Sequence, residues 1–410
     1  MNLLIIHQAF TSPSEAGGTR HFEFAKNLVA RGHRVSIIAS QLSYLTGDRV
    51  GAASTPGDRP EEHDGVRVVR AYTHPSLHKS FTWRLFTFFS FMISATWAGW
   101  RIRSVDVVMG TSPPIFQAVS AWLIAFIRRK PFLLEIRDLW PEFAIDMGVL
   151  KNRTLIRLSR GLERWLYRRA THILVNSPAY VDYLETHGVP RDKVTLIPNG
   201  VDPDMFDPNA DGSAVRKEFG LGGKFVVTYA GALGPANDID NILRAAVTLA
   251  DEPDVHFLLV GDGKDRPRLE TSVADLGLQN VTLAGARPKS MMTGVLAASD
   301  ACVATLMNIP MFKTTYPNKV FDYMAAGRPT ILAIDGVIRE VIERSNGGLF
   351  VPPGDSNALA DAARNLNTRR DGARRMGESA RQYVCEHFDR RQHAKQFEEL
   401  ILGLAGSRES

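Results

Sequence analysis

Short apolar runs alternate with amphipathic stretches through nearly the whole chain, and that rhythm predicts a parallel α/β protein. LLIIHQAF is an apolar run, the turn-rich TSPSEAGGTR follows, and HFEFAKNLVARGH is amphipathic up to Gly32, ahead of a second apolar run, RVSIIAS. Strand, glycine loop, helix and strand within about forty residues make a βαβ unit, which implies a parallel sheet with its ligand edge at the carboxyl ends of the strands. Leu42 to Pro60 is polar and reads as a mobile loop. GVRVVRAY, VDVVMGTSPP and PFLLEIRDLW read as further strands, with AVSAWLIAFIRRK as a helix between the last two. FVVTYAGALGPANDIDNILRAAVTLA opens a second α/β series. VHFLLVGDGKDRPRLE, NVTLAGARPKSMMTGVLAASDACVATL and GGLFVPPGD extend it, and two helical patterns beyond Asn357 close the chain.

At 410 residues the chain exceeds one ordinary core, so two domains of roughly 200 residues are expected. A loop dense in Pro, Asn, Asp and Gly, LIPNGVDPDMFDP, marks the boundary near residue 200. The two cysteines, Cys302 and Cys385, form no disulfide framework and show no metal-ligand spacing. The start, MNLLIIHQAF, lacks a basic head and a small-residue cleavage site, so it reads as a first buried strand rather than a secretory signal. A net charge of +5 permits an acidic partner such as a nucleotide or an anionic membrane surface.

Two segments carry more than a core requires. Leu85 to Trp100 is apolar or weakly polar throughout, bounded by Arg84 and Arg101. It falls short of the roughly 18–20 residues of a bilayer span, and a core helix, a helix lying in a membrane interface and a true span stay as open readings, in that order. The stretch from Asn152 predicts a helix with Leu155, Leu158, Leu162, Trp165 and Leu166 on one side and Arg157, Arg160, Arg164, Arg168 and Arg169 on the other. Such a basic face is solvated by default and can also serve anionic lipids.

The candidate chemistry centres on IPMFKTTYPNKVFDYMAAGRPTIL. Proline and asparagine suit a helix entrance, and Gly327 with Pro329 suits its exit. Free backbone N–H groups in the first turn favour an anion such as a phosphate, Lys319 adds a full charge beside them, and Asp322 is an acceptor suited to a sugar hydroxyl. Elsewhere, Gly17-Gly18 and Gly231 to Gly234 let a ligand approach the backbone. Arg137, Asp138 and Glu142 stand at the carboxyl end of a central strand, where doubly wound folds keep their chemistry. The first glycine loop is not GxGxxG, GDGKDR lacks a third glycine, and the chain holds no GxxxxGKS phosphate loop.

PNKVFDYMAAGRPTI, LIPNGVD and the pattern HQAF…GGTR…RGHRVSII resemble the family 4 retaining glycosyltransferases, in particular their bacterial polysaccharide branch, and the resemblance covers almost the whole chain. It implies the GT-B fold, an α/β architecture of two doubly wound Rossmann-like domains facing across a cleft. Residues 1–200 would bind the acceptor and 201–387 the nucleotide sugar, with a terminal helix at about 388–410 packing back on the first domain. It also implies hexosyltransferase-type transfer, with retention, of an N-acetylated or deoxy sugar from a UDP-linked donor. The acceptor would be a polyprenyl-diphosphate-linked or other glycan in surface polysaccharide (O-antigen) synthesis.

The Leu85–Trp100 run and the basic face after Asn152 suggest a cytoplasmic protein, peripheral at the inner face of the cell membrane, and the resemblance implies no cofactor, no metal and no nucleic acid partner. The donor side would comprise Gly18, Gly231, Arg287, Thr315, Asn318, Lys319 and Asp322. Gly17 and Arg20 would serve the acceptor, and Asp138, Glu142 and Arg137 the chemistry. Four positions depart from the family pattern. Thr314 stands where a glutamate is common, Ala232 and Asn237 where an arginine and a lysine are, and Arg137 where a histidine is. Two other readings stay open: a nucleotide-sugar 2-epimerase on the same fold, which would need only the donor and not the apolar 85–100 segment, and a non-catalytic nucleotide-sugar-binding subunit, motivated by the missing glutamate, arginine and lysine.

Overall fold

A computed structural model describes residues 1–12, 14–15, 17–43, 47–50, 60–75 and 81–406. Most of the loop read between Leu42 and Pro60 thus lies outside the described residues. The chain divides into two compact units, the first of Met1–Ser12, Gly18–Pro198 and Arg391–Ser410, the second of Pro13–Gly17 and Asn199–Arg390.

The first unit is built on strands β1 (Asn2–Ile6), β2 (Arg34–Ser40), β3 (Glu61–His63), β4 (Val66–Ala71), β5 (Val107–Ser112), β6 (Phe132–Ile136), β7 (His172–Val175) and β8 (Val194–Leu196). They form one sheet in the order β3-β4-β2-β1-β5-β6-β7-β8, parallel throughout except for the antiparallel edge strand β3. Every residue of β5 and β6 is buried. A strand apolar on both faces needs helices on both sides, which is why these runs show no alternation in sequence. The strand order reverses between β1 and β5, the point at which a doubly wound sheet opens a ligand crevice.

Helix α1 (Arg20–Ala30) packs Phe22, Phe24, Ala25 and Leu28 into this core. The terminal helix Arg390–Gly406 adds Ala394, Phe397, Ile401 and Leu404 to the same cluster, Phe397 stacking on Phe24 at 5.0 Å. Arg31 and His33 hold its Glu398, the His33 contact at 2.7 Å.

Helix α2 (Phe81–Arg101) contains the apolar run of the sequence. Thr87, Phe91 and Ala95 are buried, and α2 packs closely on α3 (Ile115–Arg128) at Gly99, where a Cβ would stand 2.4 Å from Ile124 Cδ1. Its opposite face is exposed, so the helix is neither wholly core nor wholly free. Among the described residues no helix is long and apolar enough to cross a membrane. After α4 (Glu142–Asp146), the Asn152 side chain accepts from Thr154 N–H at 3.0 Å and Leu155 N–H at 3.1 Å, starting α5 (Arg153–Arg169) with a side-chain cap.

The second unit holds β9 (Phe225–Ala230), β10 (Val255–Val260), β11 (Val281–Gly285), β12 (Ala301–Thr305), β13 (Thr330–Ala333) and β14 (Gly348–Phe350). They are all parallel, in the order β11-β10-β9-β12-β13-β14. Here the order reverses between β9 and β12.

Candidate functional site

In the second unit the predicted helix runs from Asn318 to Ala325, with Pro317 in the capping position and Gly327 at φ +68 after its end. One side chain fastens it to the end of β9. Tyr323 is buried, its hydroxyl accepting from Ala230 N–H at 2.8 Å and donating to Ala230 O at 3.1 Å. This clip sets the first turn of the helix beside the loop after β9, at the strand-order reversal.

Lys319 projects from that turn across the loop. Its Nζ donates to Tyr229 Oη at 2.7 Å and to Asn237 Oδ1 at 2.9 Å, and it lies 4.2 Å from the centroid of the Tyr229 ring. A Cβ on Gly231 would stand 3.1 Å from both Cε and Nζ of Lys319, so glycine at this point leaves the ammonium its room. Gly261, at φ +150, packs so closely that a Cβ would meet Gly231 O at 1.8 Å, which accounts for one glycine of GDGKDR. Burial lowers the Lys319 pKa to about 7. Asn237 thus receives an ammonium from another element.

Asp322 is one turn further along. Its Oδ2 accepts from Lys289 Nζ at 2.5 Å, and Lys289 also lies over the Phe206 ring at 5.1 Å. The other carboxylate oxygen makes no hydrogen bond among the described residues. Lys289 escaped the sequence reading. Its only signal was a basic residue in the loop after β11, two positions from Arg287.

Asn318 opens the helix with a buried Oδ1 that has no partner among the described residues. Thr315 is buried and spends its hydroxyl on Phe312 O at 2.9 Å. Arg287, expected to meet donor phosphate, is turned onto Glu218 and the face of Phe219, and nothing brings it to Lys319. The residues gathered on and against this helix are therefore Gly231, Asn237, Lys289, Asn318, Lys319 and Asp322.

In the first unit a polar network fills the space at the ends of β1, β5 and β6. Thr111 Oγ1 accepts from Gln117 Nε2 at 2.8 Å and lies 2.8 Å from His7 Nδ1. His7 Nε2 lies 3.2 Å from Arg137 Nη1, a donor, so the network assigns His7 as the neutral Nδ1–H tautomer. Burial, then His21, then Arg137 push its pKa well down, in agreement with that assignment. The His21 ring stands 4.0 Å away, its Nε2 2.5 Å from Glu135 Oε2. Burial opposes ionisation of Glu135, but His21, Arg20 and Arg137 outweigh it and hold its pKa at about 2. A lone acid inside the apolar run PFLLEI was the sequence signal for this ion pair, and it was missed.

Arg20 is corrected by this network. Expected to meet the acceptor, it is instead fully buried. Its Nε donates to Glu135 at 3.0 Å, and its Nη atoms donate to the Ile197 and Pro198 carbonyls at 2.7 Å each. Each of its three guanidinium nitrogens donates inside the unit, which makes it a structural cation. Gly17, at φ +145, and Gly18 are exposed, and Gly18 O accepts from Thr11.

Arg137, Asp138 and Glu142 do not act as one group. Successive residues at a strand end face opposite ways, so Arg137 bonds His7 while Asp138 lines a small cavity with Ser112, Trp140, Glu163 and Tyr167. Burial raises Asp138 to about 6 against the pull of Arg137. Glu142 is taken by a two-pronged bond from Arg160, at 2.7 and 2.8 Å. Of the three, Arg137 alone keeps unspent donors at the strand edge.

Comparison with known proteins places the chain among glycosyltransferases. Residues 16–200 match the Glycosyl transferase 4-like domain, and residues 224–369 match Glycosyl transferases group 1. WcaI of Escherichia coli (strain K12), named as a glycosyl transferase of colanic acid biosynthesis, is 23% identical over 341 residues, 81% of this chain and 83% of its own. Among solved structures, sucrose-phosphate synthase of Thermosynechococcus elongatus superposes with TM-score 0.78 at 20% identity over 99% of both chains. Anabaena HepE in complex with UDP-glucose superposes with TM-score 0.74 at 20% identity, covering 98% of this chain and 100% of its own. These matches favour glycosyl transfer over the epimerase reading. With both domain types in order on two Rossmann-like units, the chain is a glycosyltransferase of the GT-B fold.

Proposed function

We propose that this glycosyltransferase moves a sugar, N-acetylated or deoxy, from a UDP-linked donor to a polyprenyl-diphosphate-linked glycan, with retention of configuration, at the inner face of the cell membrane. The product would belong to a bacterial surface polysaccharide such as O-antigen. The observation that carries the donor half is the convergence of Lys319, Asn318 and the helix entrance on the end of β9, with Asp322 one turn behind. HepE, a fold neighbour, was solved with UDP-glucose.

The residues divide the work by charge. The departing diphosphate needs preorganised positive potential, which Lys319 and the first-turn N–H groups supply without a metal. Asp322 accepts from a ribose hydroxyl through its open oxygen, and Lys289 positions that carboxylate. With the leaving phosphate taking the acceptor's proton, front-face attack needs no separate strong base. Arg137, fixed by neutral His7, orients the acceptor side through its remaining N–H donors.

Saturation-transfer NMR against UDP-, GDP- and dTDP-sugars, with free UDP as control, tests the donor. Selective saturation of one UDP-sugar is expected, followed by transfer to a lipid-linked acceptor that persists in EDTA. Binding of no nucleotide would overturn the reading and favour a non-catalytic subunit with another ligand.

A further inference from the structure

We propose that the outer face of α2, continued by the carboxyl end of α3, docks on an anionic lipid bilayer. The proposal rests on the glycosyl-transfer reading only in that a lipid-linked acceptor gives such docking a purpose. Trp83, Phe86, Phe89, Ile93, Trp97 and Trp100 are all exposed, Phe86 by 64%, Ile93 by 68% and Trp97 by 60%. At 3.6 residues per turn these six fall within about 120° of one another and run along about 26 Å of helix. Scattered exposed apolar residues are ordinary, whereas a continuous, largely aromatic stripe marks an interaction surface. The helix cannot roll the stripe inward, because Thr87, Phe91 and Ala95 already pack its other side.

Charge identifies the occupant. From Phe81 to Lys130 the chain carries six basic residues and one acid, Asp106, which lies 3.7 Å from Lys130. Arg101 and Arg103 follow the stripe, and the Arg101 guanidinium stacks over Trp97 at 4.9 Å. Arg128 Nη2 donates to Trp100 O at 2.7 Å, which brings the basic end of α3, with exposed Phe126 and Ile127, beside Trp100. Tryptophan at the depth of the glycerol backbone with arginine at the phosphates is the pattern that an interfacial helix presents to anionic lipid. A second copy on this face would set basic residues against basic residues, since neither α2 nor α3 carries an acid.

Flotation of the full chain with vesicles of phosphatidylcholine, alone or mixed with phosphatidylglycerol, tests the proposal. Binding to the mixed vesicles with a blue shift of tryptophan emission is expected, at least tenfold tighter than to the neutral ones. The double variant Ile93→Asp/Trp97→Asp should stay unbound, and Arg101→Gln and Arg103→Gln should each weaken binding about fivefold. Both sets of variants should keep the nucleotide-sugar NMR signals of the parent chain, which shows that they fold. Failure of the folded, donor-binding chain to float overturns the docking proposal and leaves the transfer reading standing. Flotation without nucleotide-sugar binding does the reverse. A dimer in light scattering that Ile93→Asp dissociates would assign the face to a second copy and overturn the lipid.

Discussion

Lys319 shows how one residue's surroundings decide its chemistry. Its burial lowers the pKa to about 7, so the resting ammonium is only partly charged near neutrality. A diphosphate binds the charged form. Donor affinity is therefore expected to be constant well below pH 7 and to fall as pH rises through 7, by up to tenfold per unit. Titration calorimetry at pH 6 and pH 8.5 measures the fall, and Lys319→Met should both weaken binding and abolish its pH dependence. Asp322→Ala removes a charged acceptor whose hydrogen bond is worth about 1.5–3 kcal/mol, and the donor dissociation constant should rise roughly 10–150-fold. An unchanged constant would take Asp322 out of the site. At this scale the sequence showed which residues were chemically able to act and not which were already spent. Arg20, Arg287 and Glu142 read as available side chains, yet each is held by a partner far away along the chain.

Elements were more legible than residues. The helix Asn318–Ala325 was readable because proline, asparagine and glycine stand where a short helix begins and ends, and β2 because an apolar run ends in a change of polarity. Strand β3 was not, since two glutamates and a histidine at a sheet edge carry no periodicity. Helix α5 read correctly as amphipathic, but its basic face concealed Glu163. This carboxyl is buried, receives the Tyr167 hydroxyl at 2.6 Å, and is raised by burial to about 7. The unfolded chain releases that proton near pH 4.5 and the folded chain keeps it, so stability falls as pH rises from about 4.5 to 7 and is flat above. Glu163→Gln keeps the acceptor without the charge. It should add up to about 3 kcal/mol at pH 8 and nothing near pH 4.5, read by urea denaturation at the two values.

Over the whole molecule, the return of the last helix to the first unit has a measurable cost when broken. Phe397 is completely buried against Phe24, and Phe397→Ala should destabilise that unit by about 3–5 kcal/mol. Hydrogen exchange would then quicken in α1 and β1 and stay unchanged in β9. The sequence by itself determined that the chain forms two parallel α/β sheets, and where β1 and β9 end in glycine-bearing loops. Those features follow from local periodicity and from backbone conformations that few residues adopt. Only the tertiary structure decided that Lys319 reaches Asn237, that Lys289 holds Asp322, that Arg20 is a buried counter-ion to Glu135, and that one side of α2 stays bare. Each of these is a pairing, or the lack of one, between segments far apart in sequence. Charge and hydrophobicity along a chain record what a side chain can do, while packing determines which partner reaches it first.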